Sequence, residues 1–152
     1  MTIINPVRGV HRRIFMRIMG LDYGDVRIGI AVSDLMGMIA QSVGVISGRD
    51  EDKRLLELDS YINEYKPSEI VLGYPLNMNG TKGERAEKSE AFKVVLEERY
   101  GVKVVLWDER LSSMAAHRTL EEAGISGKKR TGKVDPLAAA FILQGYLDSK
   151  GF

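Results

Sequence analysis

The chain has 152 residues, 44% of them apolar and 28% charged, with a formal net charge of +1. That length suits one domain whose core buries about two-thirds of the unfolded surface. The absence of cysteine excludes a disulfide framework, a thiolate metal site and a cysteine nucleophile, and fits a reducing cytoplasm.

The longest apolar run, Leu137 to Leu143, is far too short for a membrane span, so no membrane partner is expected. The near-zero charge hides an asymmetry. Residues 1–17 carry Arg8, Arg12, Arg13 and Arg17 and no acid, which leaves the remainder net acidic. Any nucleic-acid-binding surface must therefore be local. Residues 1–15 contain Pro6, Gly9 and no sustained period, and they lack the continuous apolar core of a signal peptide. They read as a basic arm, flexible or non-native, or as sequence upstream of a start at Met16, with residues 16–152 forming the single domain.

In chain order, strands are expected over about 17–23 and 26–33, joined by a turn at Gly24. Ser42 to Ile46 reads as a third strand, closed by Gly48. Asp50 to Tyr65 is helical in pattern, with Leu55, Leu58 and Ile62 on one face and acids crowding the first turn. Pro67 stops it, and Glu69 to Gly73 is a short buried strand. Residues 74–83 have loop chemistry. A charged helix follows to about Tyr100, its apolar side expected from Ala91, Val94, Val95 and Leu96, and Gly101 ends it. Val102 to Trp107 is another strand. Ser112 or Ser113 can cap a helix running to Gly124, and a last helix starts near Asp135 with Pro136 in its first turn. Three strands in a row, then strands alternating with helices, argue for one mixed sheet covered by helices, an α/β fold.

Metal-dependent phosphodiester cleavage needs carboxylates converging on about two Mg²⁺ or Mn²⁺ ions roughly 4 Å apart. Three places supply them. Asp22 ends the first strand, Asp108 and Glu109 follow the strand Val102–Trp107, and Asp135 opens the last helix. The first two lie at the carboxyl ends of strands, where ligands of such sheets bind. Each also has a plain structural reading: Asp22 as a turn initiator, Asp108 and Glu109 as the start of a loop, and Asp135 as a helix cap. Neighbours on an extended chain point to opposite faces, so only one of Asp108 and Glu109 is expected to reach the metal.

Gly127-Lys-Lys-Arg-Thr-Gly-Lys133 carries four cations and no acid directly before Asp135. Lys128, Lys129, Arg130 and Lys133 there suit phosphate contacts that read no base. His11 and His117 lack zinc-site spacing, and no Ser-His-Asp arrangement can be argued.

Four ordered motifs carry a resemblance. They are Gly20-Leu-Asp-Tyr-Gly24 with Arg27-Ile-Gly-Ile-Ala-Val-Ser33, Gly73-Tyr-Pro-Leu-Asn-Met-Asn-Gly80, Asp108-Glu-Arg-Leu-Ser-Ser113 and Lys133-Val-Asp135. Over residues 16–150 the chain resembles the YqgF/RuvX family, relatives of the RuvC Holliday-junction resolvases. The resemblance implies an RNase H-like fold, a five-stranded mixed sheet flanked by helices. It also implies a cytoplasmic Mg²⁺- or Mn²⁺-dependent nuclease maturing the 5′ end of the small-subunit rRNA precursor.

Carried over by motif, Asp22, Glu109 and Asp135 are the metal-binding and catalytic carboxylates. Glu109 is favoured over Asp108 because related nucleases place a Glu at that strand end. Asn77 and Thr81 would contact the substrate backbone. The family often has Asp where this chain has Asn79, so no metal role is carried over there. The expected chemistry is in-line hydrolysis, with Asp22 bridging two ions.

The expected partner is nucleic acid, structured RNA ahead of branched DNA, within ribosomal precursor particles; the chain would act as a monomer or homodimer. The competing readings are a Holliday-junction resolvase, a non-catalytic rRNA-binding assembly factor, and a kinase or Hsp70-type ATPase. The last shares the opening turn but needs two such lobes.

Overall fold

The computed structural model describes residues 16–111 and 134–151. Five strands form one sheet in the order β3-β2-β1-β4-β5. They are β1 (Ile18–Tyr23), β2 (Arg27–Ser33), β3 (Ala40–Ser47), β4 (Glu69–Tyr74) and β5 (Lys103–Asp108). The first three pair antiparallel, while β1 with β4 and β4 with β5 are parallel. The helices are α1 (Glu51–Tyr65), α2 (Glu84–Tyr100) and α3 (Val134–Ser149). This is the expected five-stranded mixed sheet flanked by helices. None of the described helices is long and apolar enough to cross a membrane.

Alternation along β1 sorts the two layers. Met19 and Leu21 face one side, where Leu55 and Leu58 of α1 and Phe92 and Leu96 of α2 complete a core with Ile28, Ile30, Ile46, Ile70 and Leu72. Ile18, Gly20 and Asp22 face the other, which α3 covers with Ala139, Ile142, Leu143 and Leu147. At Gly20 the helix comes so near that a Cβ would lie 2.7 Å from Leu143 Cβ. Tyr146 of α3 bonds Glu69 at the start of β4 (2.6 Å), whereas Ile142 reaches Gly73 near its end. Thus α3 runs antiparallel to β1 and β4, and its first turn lies at the carboxyl ends of both.

The helix boundaries follow from their caps. The Asp50 side chain accepts hydrogen bonds from the backbone N–H groups of Asp52 (3.1 Å) and Lys53 (3.3 Å), and Gly101 ends α2 in a left-handed conformation.

Two expectations are corrected, and one burial is new. The buried face of α2 is Ala86, Ser89, Phe92 and Leu96, while Ala91, Val94 and Val95 are exposed. The run Ala91–Leu96 is apolar on both sides of the helix, and only the 3.6-residue period through Phe92 meets the sheet. Strand β3 begins at Ala40, two residues before Ser42, because its pairing with β2 continues through Gln41 opposite Val32 to Ala40 opposite Ser33. On α1, Arg54 is buried beside Leu55 and Leu58 although its sequence context is polar. The helix expected over residues 112–124, the arm 1–15 and the basic segment 127–133 lie outside the described residues.

Candidate active site

Asp22 stands on the central strand, on the face that α3 covers, opposite Gly29 of β2. Beyond it the chain turns sharply, and the Gly24 N–H donates to the Arg27 carbonyl at 2.8 Å. The turn is fastened from the opposite face by Arg54, which is only 2% exposed. Its guanidinium donates to the carbonyls of Gly24 (2.8 Å), Asp25 (2.7 Å) and Gly48 (3.1 Å). Its Nε makes no hydrogen bond, the nearest anion being Glu51 at 3.6 Å. The guanidinium also lies 5.0 Å from the centre of the Tyr23 ring, and that ring stacks on Phe92 at 3.9 Å. The residues on either side of Asp22 are therefore locked into the α1–α2 layer.

Glu109 follows β5, with its N–H donating to the Tyr74 carbonyl (3.2 Å). Its carboxylate lies over Gly73, where a Cβ would come 2.5 Å from Oε2 and 2.8 Å from Ile142 Cδ1. Because Leu21 pairs with Leu72 in the parallel β1–β4 ladder, Gly73 is the residue alongside Asp22. Glycine at 73 makes room for the carboxylate next to Asp22. The Glu109 carboxyl is pushed up to about 7, first by burial and then by the Asp22 charge, with Arg85 opposing both.

Asp108 turns the other way. Arg110 grips it from Nε (3.0 Å to Oδ1) and Nη2 (2.7 Å to Oδ2), holding the Asp108 carboxyl below its usual range. The same guanidinium reaches the Met78 carbonyl (3.3 Å) and so ties the 75–83 loop to the strand end. Within that loop Asn77 Nδ2 donates to Thr81 Oγ1 (2.9 Å), and the Thr81 N–H donates to Asn79 Oδ1 (3.0 Å). The side chains of Asn77 and Thr81 thus bond each other and shape the loop.

Asp135 is the second residue of α3. Ala139 and Leu143 both abut Gly20, two residues before Asp22, so the first turn of the antiparallel α3 lies beyond that contact in the direction of Asp22. The Asp135 side chain, like Lys128, Lys129, Arg130 and Lys133, lies outside the described residues. Among the described residues no group of three His, Cys, Asp or Glu is assembled to hold a metal ion.

Asp22 and Glu109 nonetheless fit a hard divalent cation: both offer half-buried oxygen ligands, and their negative charges oppose each other. On the other flank of Asp22 an open cleft of about 180 Å³ is lined by Asp22, Gly24, Val26, Arg27, Gly29 and Arg85. Arg85 and Arg54 have no motif of their own. Gly73 opens the Gly73–Gly80 motif and ends a buried apolar strand.

A family model for RuvX, described as a Holliday junction resolvase, matches residues 16–149. A protein of Ruminiclostridium cellulolyticum is 50% identical over 134 residues, covering 88% of this chain and 94% of its own length. One of Desulfitobacterium hafniense is 54% identical over 133 residues, covering 88% and 92%. Both carry the name "Putative pre-16S rRNA nuclease". Among solved structures, Thermus thermophilus RuvC in complex with Holliday junction substrate matches with a TM-score of 0.56 at 17% identity, over 90% of this chain and 97% of that one. The fowlpox virus resolvase complex matches with a TM-score of 0.52 at 14% identity, over 90% and 100%. These structural likenesses speak to the fold, which is RNase H-like. The extent of the family match and the identity to its relatives agree: this chain belongs to the RuvX family.

Proposed function

We propose that the protein is a divalent-metal-dependent nuclease that hydrolyses phosphodiester bonds at the 5′ end of pre-16S rRNA in the cytoplasm. The observation that carries the reading is the meeting of Asp22 and Glu109 above Gly73, at the end of the sheet where α3 begins with Asp135. Asp22, Glu109 and Asp135 would hold Mg²⁺ or Mn²⁺. Such ions polarise the phosphate and lower the pKa of an attacking water.

The chain's own residues prepare that chemistry. Arg54 and the Tyr23–Phe92 stack keep Asp22 from moving with its turn. Arg110 draws Asp108 away, so that a single carboxylate of the pair faces Asp22. The raised carboxyl of Glu109 would ionise where it helped to hold a cation. The relatives' name supports RNA as the substrate, and the basic segment before Asp135 supplies phosphate contacts.

The test is cleavage of an end-labelled 5′ precursor of 16S rRNA and of a four-way DNA junction, each with Mg²⁺, Mn²⁺ or EDTA. Wild type should cut the RNA only with metal, and Asp22→Asn should lose at least a hundred-fold in rate while keeping its melting temperature. Full activity in that variant would sink the carboxylate assignment. Cutting of the junction alone would make the protein a resolvase, and RNA binding without any cutting would leave it an assembly factor.

A further inference from the structure

The carboxylates face one another on the β4 side of Asp22; on its β2 side the surroundings are cationic. Arg27 opens β2 and Arg85 lies in the first turn of α2, far apart in sequence, and both line the cleft beside Asp22. Gly24 and Gly29 bring no side chain into its wall. At about 180 Å³ the cleft is smaller than the roughly 300–1,000 Å³ of a small-molecule site. It is too small for a nucleoside and of a size to admit one phosphate. Of the acids nearby, Asp22 shares the wall of the cleft, while Asp25 pairs with Lys88 at 3.0 Å and Lys88 also meets Glu84 at 3.6 Å. Guanidinium groups match phosphate oxygens in bidentate fashion, which a solvated lysine does not.

We infer that Arg27 and Arg85 form a seat for one backbone phosphate of the substrate strand, adjacent to the phosphate that is cleaved. The inference rests on the nuclease reading and adds to it a second hold on the strand, separate from the basic segment at 127–133. Contacts of this kind set the register of the strand over Asp22 and Glu109 and read no base. Arg27 and Arg85 are positioning residues here.

The experiment uses the full chain and a single-stranded RNA spanning the 5′ end of 16S rRNA. Binding and single-turnover cleavage are measured across a salt series for wild type, Arg27→Gln, Arg85→Gln, the double variant and Arg85→Lys. Both arginines are exposed, and thermal melts should coincide. Each Gln variant should weaken binding several-fold. Each should flatten the dependence of log affinity on log salt by about 0.7, the increment for one single-strand phosphate contact. Arg85→Lys should restore the salt slope and only part of the affinity.

A neutral methylphosphonate walked along the RNA should reproduce the loss at one position next to the cut in wild type and add nothing in the double variant. If wild type cuts the RNA but the double variant keeps the full salt slope, the phosphate seat is overturned and the nuclease reading stands. If wild type neither binds nor cuts, both fall together.

Discussion

Replacing Glu109 by Gln should stabilise the metal-free protein above neutral pH, the reverse of what loss of a site residue usually suggests. The Glu109 carboxyl is raised from 4.5 to about 7, first by burial and then by Asp22. Between those values the folded chain holds a proton that the unfolded chain has released. Stability therefore falls as pH rises, by about 1.4 kcal/mol per pH unit. Across the window the loss reaches at most about 3 kcal/mol, since solvent reaches one side of the site. Gln keeps the shape and cannot ionise, so the variant lacks this slope.

The four carboxylates Asp25, Asp59, Glu90 and Asp108 are shifted down by their cationic or hydroxyl partners. Their contributions are present above the ordinary carboxylate range and vanish only below about pH 4, outside the window. His11 and His117 are common to both proteins and cancel in the difference. Urea unfolding in EDTA from pH 4.5 to 8 should show variant and wild type converging at the acid end. The variant should lead by about 2–3 kcal/mol at the alkaline end. Saturating Mg²⁺ or Mn²⁺ should return most of that deficit to wild type and leave the variant unmoved. A difference that stays flat with pH would refute both the burial of Glu109 and its proximity to Asp22.

Two further substitutions probe how the carboxylates are held. Gly73→Ala puts a Cβ against Glu109 Oε2 and Ile142 Cδ1, so single-turnover cleavage should fall at least ten-fold with a stability loss of about 1–3 kcal/mol; an unchanged rate would remove Glu109 from the site. Arg54→Met leaves the carbonyls of Gly24, Asp25 and Gly48 without their buried donor and should cost about 3 kcal/mol in urea unfolding. A cost below about 1 kcal/mol would mean that water replaces the guanidinium.

The sequence makes the Asp22 turn legible because everything that shapes it is local: an apolar strand, a glycine and a second apolar strand. The order of elements is legible for the same reason, since Pro67, Gly101 and the Asp50 cap punctuate them. The choice between Asp108 and Glu109 is not local. Alternation says that one of them faces the site, and the choice then depends on Gly73, in another strand, and on the grip of Arg110 upon Asp108. Arg54 escapes notice because a buried arginine looks like any other charge on an amphipathic helix. Only the three carbonyls delivered by the turn and by the end of β3 explain its burial. The face of α2 is misjudged where apolar residues lie on both sides, because the sheet chooses Phe92 and leaves Val94 and Val95 to solvent.

Glycines at three points around Asp22 serve different ends that share one cause. At Gly20 the missing side chain lets α3 descend onto β1. At Gly73 it admits the Glu109 carboxylate from the neighbouring strand, and at Gly29 it keeps the opposite flank low. A Cβ at the first would lift the helix, and at the second it would push the carboxylate away. Asp22 itself hardly needs help from its strand neighbours, because Arg54, Tyr23 and Phe92 secure its turn from beneath the sheet. Both faces of the sheet are thus packed with apolar side chains, and only at the carboxyl end of β1 do the glycines leave room beside Asp22, where the Glu109 carboxylate enters over Gly73.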